Sequence, residues 1–176
     1  MAVAVEERGA ELVPCKTPMI REAGGVSLLT MLQESAALYA DVVDADPARF
    51  GGEARALLTL GRSLQDRAGA LARARLRLAA ATTQLFAEHR LDAFLTPTTA
   101  CVAPPRDAAT VTLDGRKVPV ATALARFTGW AATTGFPAIT APGPGPGLPV
   151  GLQVMARPMR EDLCLRIAAA LESFSG

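Results

Sequence analysis

Histidine, lysine, serine and cysteine, which supply many catalytic nucleophiles and bases, are scarce in this sequence. The 176 residues include one histidine, His89, and three cysteines. A serine triad would have to use His89, but the sequence holds no Gly-x-Ser-x-Gly motif for the nucleophile. A Cys101–His89 pair is a further hypothesis for a nucleophilic site. One histidine and scattered cysteines exclude a predicted zinc site, and no motif indicates a cofactor, so we predict neither a metal nor a cofactor.

The composition limits the classes of partner. Half of the residues are hydrophobic and the formal net charge is +1, as is typical of a globular domain. A charge so close to zero gives no attraction to nucleic acid or anionic lipid. No apolar run reaches the length of about 18 residues that indicates a membrane span. We therefore predict no nucleic acid partner and no membrane partner, and the unpaired cysteines favour a cytoplasmic location.

Residues 1–90 are predicted to be mostly helical. A short strand is expected at residues 10–14, followed by a break at Gly24 and Gly25, with Ser27 as the cap of the next helix. The longest helical pattern covers residues 62–89 and has a leucine at every seventh position. With these leucines at heptad position a, the d positions are Gly61, Ala68, Arg75 and Thr82, which make too thin an apolar seam for a coiled coil. Packing of this helix against a sheet is therefore favoured over a leucine zipper.

Strands alternate with helices in residues 91–176. We predict strands at residues 91–96, 138–140 and 150–155, and helices at 121–133 and 161–173. A hairpin is predicted at residues 110–118 because Asp114-Gly115 is a strong tight-turn signal. The interleaved order indicates an α/β fold.

Four motifs follow one another in this second half. They are Leu-Asp-Ala-Phe-Leu-Thr-Pro-Thr at 91–98, Thr-Gly-Phe-Pro-Ala at 134–138, Gly-Leu-Pro-Val-Gly-Leu-Gln at 147–153, and Arg157-Pro158. Their order and spacing resemble the C-terminal part of the amidase signature family, which includes bacterial amidases and the A subunit of tRNA-dependent amidotransferases. The Arg-Gly-Ala-Glu-Leu-Val run at 8–13 is similar to a strand midway through family enzymes.

The resemblance implies a fold and an architecture. It implies part of the amidase-signature fold, with a mixed β-sheet flanked by helices. Residues 1–176 are then expected to form a single partial domain that corresponds to the C-terminal portion of an amidase-like enzyme.

The resemblance also implies hydrolysis of amide C–N bonds by a serine nucleophile, a second serine and a lysine base. In the family these residues lie on a lysine strand and a Gly/Ser-rich segment. Here the five serines are never adjacent, and Lys16 and Lys117 lie outside that context. We therefore predict no catalytic residue in this chain, and expect it to be inactive alone.

The resemblance places the loop after Thr96 and the helix before Gly135 near the substrate cleft of the family. The substrate-binding candidates are Thr98, Thr99, Arg126, Phe127 and Trp130. Arg126 is the candidate for binding a substrate carboxylate, and a role as a core anchor is the alternative for Trp130.

Two kinds of partner are expected. The first is a small-molecule amide substrate in the full-length context. The second is a companion chain, or a second copy, bound through an exposed sheet edge. A non-catalytic binding or assembly module and one half of a split amidase are the alternative functions.

Overall fold

The computed structural model describes residues 5–7, 9–143 and 147–172. The described residues from 19 to 172 form seven α-helices and five strands. The helices are α1 (Met19–Leu38), α2 (Ala40–Ala45), α3 (Gly52–Arg62), α4 (Ala68–Glu88), α5 (Val120–Ala125), α6 (Thr128–Thr134) and α7 (Glu161–Glu172). The strands are β1 (Ala93–Pro97), β2 (Thr110–Leu113), β3 (Arg116–Pro119), β4 (Ala138–Pro142) and β5 (Gly151–Ala156). The predicted α/β class is confirmed.

Strand β5 lies at the centre of a three-stranded sheet with the order β1-β5-β4. Phe94 of β1 pairs with Met155, and Ile139 of β4 pairs with Val154. The resemblance implied a mixed sheet, whereas both pairings in the described residues are antiparallel. Strands β2 and β3 form a separate antiparallel hairpin, and Asp114 and Gly115 have positive φ angles of 50° and 75°. These angles are those of a type I′ turn, so the predicted hairpin is confirmed.

The central sheet is packed on both faces, which makes the domain three layers deep. Met155 and Phe94 face a cluster that contains Phe86 of α4 and Trp130 of α6. Residues of β5 that point the other way pack on α7. A strand covered on both faces does not alternate between buried and exposed residues, and residues 152–156 of β5 are all buried, with Gln153 as the polar member of an otherwise apolar run.

Helix α1 runs through the two glycines that were predicted to break it, so that prediction was wrong. A Cβ atom at Gly129 of α6 would lie 2.9 Å from the Gly24 Cα atom. The pair therefore allows α1 and α6 to pack backbone to backbone. Ser27 lies inside α1, so it does not cap a helix.

Residues 10–14 form no strand, contrary to the prediction, and join no sheet in the described part of the chain. The predicted helix at 62–89 begins later, because α3 ends at Arg62 and a 3-10 turn at Gln65–Arg67 precedes α4. Leu71 and Leu78 of α4 are buried in the core beside the sheet. The helix reaches the sheet through Phe86, whose ring packs on Phe94 of β1, while the rest of it packs mainly on α1 and α6.

Candidate substrate-binding site

An open cavity of about 470 Å³ lies where the end of β1, the β2–β3 hairpin and the α5–α6 junction meet. Three of the predicted substrate residues, Thr99, Arg126 and Phe127, line this cavity. Its other lining residues are Pro97, Ala100, Cys101, Val102, Leu113, Asp114 and Val150. The wall is therefore mostly apolar and carries one cation, which is a common composition for a small-molecule site.

Arg126 and Phe127 reach the cavity because a predicted helix is interrupted. The sequence predicts one helix over residues 121–133, but α5 ends at Ala125 and α6 begins at Thr128. The two intervening residues are turned toward the cavity, with the Arg126 guanidinium 5.8 Å from the centre of the Phe127 ring.

Gln153 of β5 forms hydrogen bonds that hold the α5–α6 junction in place. This residue is only 4% exposed. Its Nε2 donates to the Phe127 carbonyl at 3.4 Å and to the Thr96 hydroxyl at 3.3 Å. The backbone N–H of Trp130 also donates to the Phe127 carbonyl, at 3.1 Å. A central strand therefore fixes the chain at the junction that carries the two candidate residues.

Thr98 lies beside the cavity wall, over the sheet. Its N–H donates to the Gly151 carbonyl at 2.8 Å, and its Oγ1 lies 3.1 Å from the Thr140 Oγ1. A Cβ at Gly151 would lie 2.6 Å from that Thr98 oxygen. Gly151 therefore makes the space in which the two threonine hydroxyls meet.

Trp130 is completely buried. Its ring packs against Phe94, with centroids 4.8 Å apart, and its Nε1 donates to the Thr82 hydroxyl at 2.9 Å. The structure thus places Trp130 in the core, which is the alternative role that the sequence predicted for it.

The hairpin brings Leu113 and Asp114 to the cavity, and the sequence carried no signal for this. The Asp114 carboxylate lies 3.9 Å from the Arg126 guanidinium, but its side chain is 89% exposed. An ion pair this long and this exposed is weak, so Arg126 keeps donors for a ligand.

The described residues that line the cavity include no serine, lysine or histidine. Cys101 is one of its lining residues, whereas His89, which follows the end of α4, is not. Burial raises the pKa of the Cys164 thiol, whose Sγ donates to the Pro137 carbonyl at 3.3 Å. Throughout residues 5–7, 9–143 and 147–172, no three His, Cys, Asp or Glu side chains cluster as a metal site would require.

The model of the Amidase family matches residues 1–165. The chain belongs to the amidase family. This membership confirms the resemblance carried by the four motifs. A fatty acid amide hydrolase from Medicago truncatula is 31% identical over 172 residues, which are 96% of this chain and 28% of that protein.

Solved amidases share the fold. The peptide amidase from Stenotrophomonas maltophilia superposes with a TM-score of 0.68 at 23% identity, over 98% of this chain and 38% of its own. A chain from a vestigial complex connected with the origins of an s-triazine catabolic enzyme gives a TM-score of 0.81 at 23% identity, over 99% of this chain and 38% of its own. This chain thus spans 28% of the curated relative and 38% of these two structures. No helix in its described part combines the length and apolar composition that crossing a membrane requires.

Proposed function

We propose that this chain supplies the substrate-binding part of an amide hydrolase, for small-molecule amides. The observation that carries the proposal is the cavity formed by Thr99, Arg126 and Phe127 at the end of β1. The family membership supports amide hydrolysis as the reaction. Thr98 does not line the cavity, and we propose that its hydroxyl pair with Thr140 positions the neighbouring Pro97 and Thr99, which do.

We propose further that the chain is catalytically silent alone. Hydrolysis of an amide needs a nucleophile activated by a base and donors for the oxyanion. The sequence holds no pair of adjacent serines and no lysine beside a Gly/Ser-rich segment. A catalytic segment must then come from a companion chain or from further sequence of the same protein. The three free cysteines favour the reducing cytoplasm as its location.

An assay of amide hydrolysis by the purified chain tests whether the chain is inactive alone. We expect no ammonia release from aliphatic or aryl amides above the rate without protein. Turnover that disappears on replacing one of the chain's own serines, or Cys101, by alanine would overturn the proposal.

A chimera tests whether the chain supplies the substrate-binding part of an amide hydrolase. In this chimera, the present chain replaces the matching 172-residue segment of the Medicago truncatula hydrolase. We expect a folded chimera to hydrolyse amides, and Arg126→Gln and Phe127→Ala to change its KM. A folded chimera without activity would count against the proposed role.

A non-catalytic assembly module is the second candidate function. The two edges of the three-stranded sheet, β1 and β4, are unpaired in the described residues and favour it, because such an edge can accept a strand from another protein. Size-exclusion chromatography of the purified chain distinguishes the assembly module from the substrate-binding part of a larger hydrolase. A stable monomer favours an autonomous module. An obligate dimer or aggregation favours a piece of a larger enzyme whose sheet is incomplete.

A further inference from the structure

We propose that the β2–β3 hairpin is a movable lid on the cavity of about 470 Å³, latched by the contact between Asp114 and Arg126. This role rests on the proposed function, because it concerns access to the same cavity. It gives Asp114 a task that neither the motifs nor the family resemblance assigned.

One wall of this cavity is anchored in the three-stranded sheet. Pro97 is the last residue of β1, Val150 directly precedes β5, and the Phe127 carbonyl accepts a hydrogen bond from β5 at 3.4 Å. Leu113 and Asp114, at the tip of the hairpin, also line the cavity. Movement of the hairpin therefore changes the opening of the cavity while the anchored wall stays in place.

The hairpin itself is attached to the domain only loosely. Each residue of β2 and β3 is exposed or half-buried, and the hairpin packs mainly against the six-residue helix α5. In the part of the chain that the structure describes, no hydrogen bond joins β2 or β3 to the three-stranded sheet. At the base, the Val120 N–H donates to the Ala109 carbonyl at 3.1 Å. A segment with so few buried contacts opens locally at a low cost in free energy, and this base is the natural hinge.

Two contacts hold the tip of the hairpin over the cavity. The Asp114 carboxylate lies 3.9 Å from the Arg126 guanidinium, and the half-buried Leu113 side chain contributes an apolar part of the wall. An ion pair as exposed as this one is weak. The tip can therefore leave Arg126 while the strands of the hairpin stay paired, as a lid requires.

Iodoacetamide labelling of Cys101 in the purified chain tests the lid, because this residue lines the cavity and is partly exposed. Asp114→Asn removes the charge of the latch, keeps the size of the side chain, and places Asn-Gly in the turn, which type I′ turns favour. A rigid wall would give the same access to Cys101 in both proteins. We expect labelling about threefold faster in the variant, which is the scale of an exposed ion pair. Cys15 does not line the cavity and gives the reference rate.

Salt should reproduce the effect of the substitution in the wild type. At about 1 M salt the screening length falls to about 3 Å, so the contact between Asp114 and Arg126 is weakened. We expect salt to speed the labelling of Cys101 in the wild type and to leave the rate in Asp114→Asn unchanged.

Asp107→Asn is the matched control. Asp107 is an exposed carboxylate on the loop between Cys101 and the hairpin, and it forms no ion pair within the described residues. It should be labelled like the wild type. The dependence of each labelling rate on pH gives the thiol pKa, so that rates are compared for the same fraction of thiolate. Circular dichroism establishes that each variant is folded.

The lid is excluded if Cys101 of Asp114→Asn is labelled at the wild-type rate, if Asp107→Asn speeds the labelling equally, or if salt acts alike on the wild type and Asp114→Asn. These readouts need no turnover, so they are distinct from failure of the chimera.

Discussion

The Thr82 hydroxyl is the hydrogen-bond acceptor for the indole N–H of Trp130, the largest buried side chain of the core. It accepts a hydrogen bond from the Trp130 Nε1 at 2.9 Å and donates to the Leu78 carbonyl at 2.8 Å. Both Trp130 and Thr82 are completely buried. Water therefore cannot replace this partner of the indole N–H.

Thr82→Val should lower the free energy of unfolding by about 2 kcal/mol, because it keeps the shape and leaves a buried indole donor unsatisfied. Thr83→Val is the matched control, since the exposed Thr83 hydroxyl makes the same kind of bond to the Ala79 carbonyl. We expect a change within about 0.5 kcal/mol there. Urea unfolding followed by tryptophan fluorescence measures both, and equal losses would contradict the role given to Thr82.

Gly61 marks the closest approach of two helices. A Cβ there would overlap the Leu32 carbonyl oxygen of α1 and lie 2.8 Å from the Ala36 Cβ. Gly61→Ala should therefore destabilise the fold by about 2 kcal/mol, as overpacking does. Gly25→Ala, in the exposed middle of α1 with nothing within 4 Å, should instead stabilise it by about 0.5 kcal/mol through helix propensity. Thermal melting of the two variants should give shifts of opposite sign.

At the scale of elements, the α5–α6 junction depends on Gln153. Replacing Gln153 by methionine keeps the length of the side chain and removes its bonds to the Phe127 carbonyl and the Thr96 hydroxyl. We expect faster amide exchange in a peptide covering residues 120–134, because a supported junction opens less often. Gln84→Met, on the exposed face of α4, is the control. Unchanged exchange in the Gln153 variant would show that other contacts hold the junction.

The elements that sequence predicts correctly are those whose signals are local. The Asp114-Gly115 turn needs only the permissive backbone of its two residues, and it forms where predicted. The Gly24-Gly25 break was predicted by the same local rule and is absent. A helix can carry two glycines when close packing with Gly129 compensates, and that contact is between segments far apart in the chain.

The residues of the candidate site also differ in how far the sequence predicts them. Thr99, Arg126 and Phe127 were predicted from the family resemblance that the motifs carry, and they line one cavity. Leu113 and Asp114 were missed because the position of the hairpin over the cavity depends on tertiary packing. For Trp130 the sequence left both a substrate contact and a core anchor open, because the direction of its side chain depends on which face of its short helix packs on the sheet.

At the scale of the whole molecule, the unpaired edge of β4 is a candidate contact for self-association. The Gly143 N–H donates to the Val150 carbonyl and the Ala156 N–H to the Pro137 carbonyl. Because ladder bonds alternate along an antiparallel pair, Ile139 bonds to β5, while the backbone groups of Ala138 and Thr140 point away from it. In the described residues no strand pairs with that side of β4. Pro142 occupies one of these outward positions, where a missing N–H removes no ladder bond.

An unpaired edge of this kind promotes strand pairing between copies. We therefore expect the isolated chain to self-associate with rising concentration in sedimentation velocity experiments. Ala138→Pro should shift it toward monomer, because it removes one outward N–H at the first residue of β4 and leaves the ladder to β5 intact. Ile139→Pro, one residue along, should instead unfold the chain, because it removes a bond to Val154 within the sheet. A wild-type chain that stays monomeric at every concentration, or an Ala138→Pro variant that associates as strongly as the wild type, would exclude this edge as the contact. Any assembly would then use the edge of β1 that is unpaired in the described residues, or the exposed helix faces.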